Sequence, residues 1–324
     1  LQSAANYWLK EYHFDGLRMD AVSRLLYWQG DEKRGENGVT VNFLKIMNKG
    51  LHALHPTAML IAEDSTSYPG VTKDVDAGGL GFDYKWDLGW MHDTLKYLEC
   101  HPHDRANMPG MITFSIFYAW NERYILPFSH DEVVHGKKTI IGKLHGTYEE
   151  KFRQARLLYL YMLTHPGKKL NFMGNELAMF REWDERREPD WDLLNMPSHD
   201  SFLTYMTELN RLYCTESALC ALDCTYDGFK WVDCGCESKC VFGYTRTDGE
   251  KTLLILLNFS DKAAVCKPDG DWNLLLHTDW ECFGGGMKQL PGAPLPDTLG
   301  PYCGLLLKQP LKQQDCIDFG QSVI

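Results

Sequence analysis

The sequence predicts an α/β fold, parallel strands wrapped by helices, followed by an antiparallel β domain. Three observations predict it. Short apolar runs alternate with helix-compatible stretches up to about residue 215. From about Leu219 strand-like runs succeed one another with little but Gly, Asp and Pro between them. The 324 residues are also about two domains' worth of chain. The expected division is 1–215, 216–310 and a polar tail, 311–324.

Ala5, Trp8, Leu9 and Tyr12 recur at helical spacing, so the chain opens on a helix. Residues 14–21 form a strand-like run, 36–54 a helix after a Gly-bearing loop, and 58–62 a compact apolar strand. Residues 111–117 are apolar and helical or irregular, and 124–128 are a short strand. Thr147 followed three residues later by Glu150 has the form of a capping box. It opens a helix through 152–164, which His165-Pro166-Gly167 stops. A strand at 169–172 follows, then β runs at 229–232, 241–246, 252–259, 272–277 and 302–308.

Composition narrows the function. At 44% hydrophobic and 24% charged residues, the chain is an ordinary globular one. No window approaches 18 uninterrupted apolar residues, so no membrane span is expected. A formal charge of -11 argues against nucleic acid or an anionic membrane as partner and suits a neutral substrate. Eleven Cys, ten of them at or after Cys214, fit reduced thiols in a cytoplasmic protein better than a disulfide framework. Cys234, Cys236 and Cys240 lie between two strand-like runs and are expected in a hairpin turn rather than around a metal ion.

Three apolar strands end in acids. In 14–21, Arg18 and Asp20 share one face of the strand and Leu17 and Met19 the other. Asp20 closes the strand, where barrel enzymes place catalytic groups. A cation beside it would keep it ionised, as a nucleophile requires; a structural ion pair is the alternative. Glu63 closes the strand at 58–62, where a dry setting would raise its pKa for proton donation; an N-cap or loop acid is the alternative, and Asp64 is the weaker candidate. Asp131, preceded by His130, follows the strand at 124–128. A zinc-protease reading fails, because His130 and His135 are five apart, about 140° round a helix of 3.6 residues per turn. Two carboxyls flanking a glycosidic bond are the minimum for glycosyl transfer.

At these residues the sequence resembles the α-amylase family of glycoside hydrolases and transglycosylases. Asp15-Gly-Leu-Arg-Met-Asp20, Ala62-Glu-Asp64 and Ser129-His-Asp131 match its second, third and fourth signature regions. Val133-Val-His-Gly-Lys-Lys138, the stretch from Gly78 to His92, the stretch from Pro166 to Glu176, and Arg181-Glu-Trp183 with Asp190-Trp191 are similar to its glucan-branching members. The resemblance implies the carboxy-terminal part of a (β/α)8 barrel, strands four to eight, followed by an antiparallel β-sandwich domain. It implies Asp20 as nucleophile, Glu63 as general acid/base and Asp131 as transition-state stabiliser. Arg18 would orient Asp20 and His130 would bind the sugar at the cleavage subsite, while Trp86, Trp90 and Trp183 would be sugar platforms or rim packing. The substrate would be an α-glucan, glycogen or amylose-like, cleaved at α-1,4 bonds and rejoined as α-1,6 branches, with no metal or organic cofactor. A hydrolase of the same fold and an inactive glucan-binding piece are the alternatives. The family's first signature region is absent. The chain is therefore expected to need the missing amino-terminal part of its own polypeptide, and to be inactive without it.

Overall fold

The computed structural model describes residues 1–310, so the expected tail 311–324 lies outside the described residues. Five strands lie side by side in chain order, all parallel. They are β1 (Gly16–Met19), β2 (Met59–Ala62), β3 (Tyr84–Trp86), β4 (Tyr124–Phe128) and β5 (Lys168–Asn171). With the helices Gly38–Leu54, Leu88–Glu99, Tyr148–Thr164 and Pro197–Thr215 they form part of a β/α barrel. The opening helix is Gln2–Glu11. Thr147 closes the expected capping box: its side chain accepts from Glu150 N and the Glu150 carboxylate accepts from Thr147 N. The helix therefore starts at Tyr148, ahead of its apolar stretch. β3 was not among the strand-like runs, because three residues are too few to show a period.

Strand register sorts the side chains into two faces. Arg18 pairs with Ile61, Ile61 with Tyr84, and Trp86 with Ile125, and these point to the inner face of the arc. Met19, Ala62, Lys85 and Tyr124 form the next row and point outward to the helices. Leu60 and Ala62 pack with Val41, Leu44 and Met47 of the helix Gly38–Leu54. Leu126 and Phe128 pack with Trp90, Tyr161 and their neighbours. The connection from β2 to β3 holds turns and no helix, so an outer stretch of the sheet is covered only by a loop.

Beyond Thr215 the strands turn antiparallel. β6 (Phe229–Trp231), β7 (Val241–Thr247), β8 (Thr252–Asn258), β10 (Asn273–His277) and β12 (Cys303–Lys308) form one sheet in the order β10-β12-β8-β7-β6. β9 (Ala264–Val265) and β11 (Thr298–Leu299) form a short antiparallel ribbon. The expected hairpin turn carrying Cys234, Cys236 and Cys240 joins β6 to β7. One hydrophobic core runs through the two parts, from Leu126 and Leu157 to Leu256 and Leu306. Gly304 permits this close approach, because a Cβ there would stand 2.6 Å from Leu160 and 2.9 Å from Leu157. Arg246, fully buried, pairs with Asp223 at 2.5 Å and donates to Thr164 O at 2.6 Å, pinning β7 to the end of the helix Tyr148–Thr164. Among the described residues no helix is long and apolar enough to cross a membrane.

Candidate active site

The inner face gathers Arg18, Asp20, Glu63 and Trp86. Arg18 Nη1 donates to Asp20 Oδ1 and to Glu63 Oε2, each at 2.8 Å. One nitrogen reaching both acids holds the two carboxylates within two hydrogen-bond lengths. The guanidinium lies over the Trp86 ring, 4.6 Å from its centroid. The backbone enforces the pairing. β1 ends at Met19, and Ala21 turns into the left-handed region (φ 46°), a conformation costly for a residue with a Cβ. In that turn Ala21 N donates to Glu63 Oε2 at 3.1 Å and Val22 N donates to Glu63 O at 2.9 Å.

The two acids differ in setting. The Glu63 side chain is 21% exposed and that of Asp20 is 74% exposed. Burial, and then the neighbouring Asp20, push the Glu63 pKa up. Hydrogen bonding with Glu63, and then with Arg18, holds the Asp20 carboxyl below its usual range, and the His130 ring adds to this. The two proton affinities are thus driven apart, so between them lies a pH window in which Glu63 can donate a proton while Asp20 is ionised, the division of labour of a proton donor beside a nucleophile.

His130 and Asp131 sit in the helical turn His130–Val133, just past β4, with Ser129 Oγ accepting from Asp131 N at 3.3 Å. His130 Nε2 lies 3.5 Å from Asp131 Oδ1. Among the described residues no hydrogen bond or ion pair joins Asp131 to Asp20 or Glu63. Trp183 lies edge-on to His130 and Phe172, at 6.3 and 5.3 Å between ring centroids, and its N donates to Val133 O at 2.9 Å.

Two platform expectations change. Trp86 is 6% exposed with Arg18 on its ring, so its geometry is that of a support for the guanidinium. Trp90 is 1% exposed, packed between Phe128 and Tyr161, and is a core residue. Asp64, next to Glu63 in sequence, points the other way and forms a buried ion pair with Lys85 at 2.8 Å.

Sequence reasoning missed the supports of the loop after Asp131. Lys137 Nζ donates to Asp131 O at 2.8 Å, and Lys143 Nζ donates to Glu132 O and to Lys138 O. His135, Gly136 and Lys138 all have positive φ. Glu182 holds this turn, accepting from Gly136 N at 2.9 Å and Lys138 N at 2.6 Å. Only the adjacency of Glu182 to Trp183 in the motif pointed to it. Among the described residues no group of His, Cys, Asp and Glu is arranged to hold a metal ion, and ten cysteines are free thiols.

Residues 231–294 match the family model described as the C-terminal all-beta domain of alpha amylase. The chain is 42% identical over 311 residues to the 1,4-alpha-glucan branching enzyme GlgB of Bacillus caldolyticus, covering 94% of this chain and 46% of that protein. It is 45% identical over 311 residues to the enzyme of the same name from Geobacillus stearothermophilus, covering 94% and 48%. By sequence, this chain is similar to half of a branching enzyme. It spans about half the length of the curated relatives it matches. Among solved structures, a pullulanase from Anoxybacillus sp. LM18-11, complexed with maltotetraose, aligns with a TM-score of 0.65 at 14% identity, over 95% of this chain and 46% of that one. A pullulanase from Bacillus acidopullulyticus aligns at 0.67 and 14%, over 95% and 39%. At such identity these two establish the fold alone.

Proposed function

We propose that this chain supplies the catalytic acids of a glucan-branching transglycosylase in cytoplasmic glycogen biosynthesis. Residues 1–215 form the catalytic part and 216–310 the β domain packed on it. Glu63 protonates the oxygen leaving an α-1,4 bond while the Asp20 carboxylate attacks the anomeric carbon, giving a covalent glycosyl-Asp20 and a free glucan end. Glu63, now ionised, takes the proton from the 6-hydroxyl of an acceptor glucan. That oxygen displaces Asp20 and closes an α-1,6 bond, so configuration is retained. Arg18 orients Asp20 and Trp86 orients Arg18. His130 binds the sugar at the cleavage subsite, with Trp183 packed against its ring, and Asp131 stabilises the cationic transition state. The reaction needs no cofactor.

One observation carries this reading: a single Arg18 nitrogen bonds both Asp20 and Glu63, while their proton affinities are driven apart. The sequence similarity to branching enzymes supports the choice of branching over hydrolysis. The test incubates amylose with the chain alone, and with the chain plus the front half of the Geobacillus stearothermophilus relative. New α-1,6 linkages are expected only in the supplemented mixture, and none with Asp20→Asn. Reducing ends released without new linkages would mean hydrolysis. Linkages formed equally well by Asp20→Asn would overturn the proposal.

A further inference from the structure

A cavity lies by the outer face of the sheet, beside Lys85 and Asp87, with Trp86 also in its lining. With no helix between β2 and β3, the outer face there is roofed by the loop that follows Glu63, facing the segment that leads into β4. Between them is a cavity of about 600 Å³, within the 300–1,000 Å³ usual for small-molecule sites. Tyr68, Phe114 and Tyr118 line it with aromatic surface, and Asp87, Asp93 and Asn121 with polar groups. Phe114 is 56% exposed at its edge, with no role in the core.

The polar lining is selective. Lys85 is spent on Asp64 and Thr66 O, and Glu122 on Val71 N and on the backbone and hydroxyl of Thr72. Neither is free to bind an anion or a cation. Asp87 is buried. Its Oδ1 accepts from Trp90 N at 2.8 Å and Tyr118 Oη at 3.0 Å, while Oδ2 has no hydrogen-bond partner among the described residues. Burial pushes its pKa up to about 6. Asp93 likewise has no hydrogen-bond or salt-bridge partner among the described residues. Two carboxyls with unused oxygens disfavour phosphorylated ligands and accept hydrogen bonds from hydroxyl groups. The aromatic walls suit the apolar faces of pyranose rings. No metal-ligating group is arranged here among the described residues.

We propose that this cavity is a second carbohydrate site, holding a neutral α-glucan segment on the face of the sheet away from Arg18. The choice of glucan rests on the proposed function; the site itself rests on the cavity and on Asp87. The test titrates the whole chain with maltoheptaose, following backbone amide resonances by NMR. Shifts are expected at Phe114, Tyr118 and Asn121, unchanged in Asp20→Asn. Affinity at these resonances should fall at least tenfold in Asp93→Ala and in Asn121→Trp, which fills the mouth. Unchanged melting temperatures would show that both variants fold. Shifts confined to the Arg18 face, or affinity unaltered in both variants, would overturn the site. Absence of new α-1,6 linkages in the supplemented mixture of the unsubstituted chain, with these shifts intact, would sink the proposed function and leave the site standing.

Discussion

Glu63 and Asp64 are adjacent acids, each bonded to one cation, yet they do opposite things. The pleat sends Glu63 to the inner face, where Arg18 is shared with Asp20 and solvent reaches the pair. It sends Asp64 to the outer face, where Lys85 neutralises it in a dry setting and the backbone N and hydroxyl of Thr66 complete it. A cation divided between two acids leaves them competing for a proton, whereas a cation given wholly to one acid only cancels its charge. The first arrangement tunes reactivity and the second holds a strand to its loop.

This contrast can be broken by substitution. The largest effect is expected from Asp20→Asn in the supplemented assay: transfer should fall by about 10⁴-fold or more, the scale of losing a central catalytic group, with little change in melting temperature because Asp20 is exposed. Activity kept within tenfold would remove Asp20 from the mechanism. Lys85→Met should do the reverse, costing about 3–5 kcal/mol in denaturant unfolding by stranding a buried Asp64, while Glu63→Gln costs about 1 kcal/mol or less. Pairing Lys85→Met with Asp64→Leu should restore most of the loss. A smaller effect is expected in the pH profile of the supplemented assay. The rate should rise as Asp20 ionises, below the usual Asp range, and fall as Glu63 loses its proton, above the usual Glu range. Smallest is Glu182→Gln, which should speed hydrogen exchange at Gly136 and Lys138 without touching the Asp64–Lys85 pair.

Much of this was legible beforehand, for a physical reason. An apolar strand ending in an acid needs only local information, so Asp20, Glu63 and Asp131 stood out, as did the Thr147 capping box. Alternation also put Arg18 beside Asp20. That Arg18 reaches Glu63 as well depends on the register of β1 against β2, which no single stretch encodes. The left-handed Ala21 carries no residue signal, since Ala is a poor choice for that region. Trp86 and Trp90 look alike in sequence, but one supports a guanidinium and the other fills the core, a difference set by the strand-to-helix turn between them. The cavity beside β3 lies where a loop, with no helix, joins β2 to β3.

The claim at the centre is that Glu63 gives up its proton at a higher pH than Asp20 beside it. Carbon-13 labelling of the side-chain carboxyls, followed by NMR from pH 2 to 9, reads this on the chain as it stands. Asp20 should titrate first, below an ordinary Asp, and Glu63 last, above an ordinary Glu, with the Glu63 midpoint falling in Asp20→Asn. Glu63 titrating before Asp20, or both following ordinary independent curves, would contradict it.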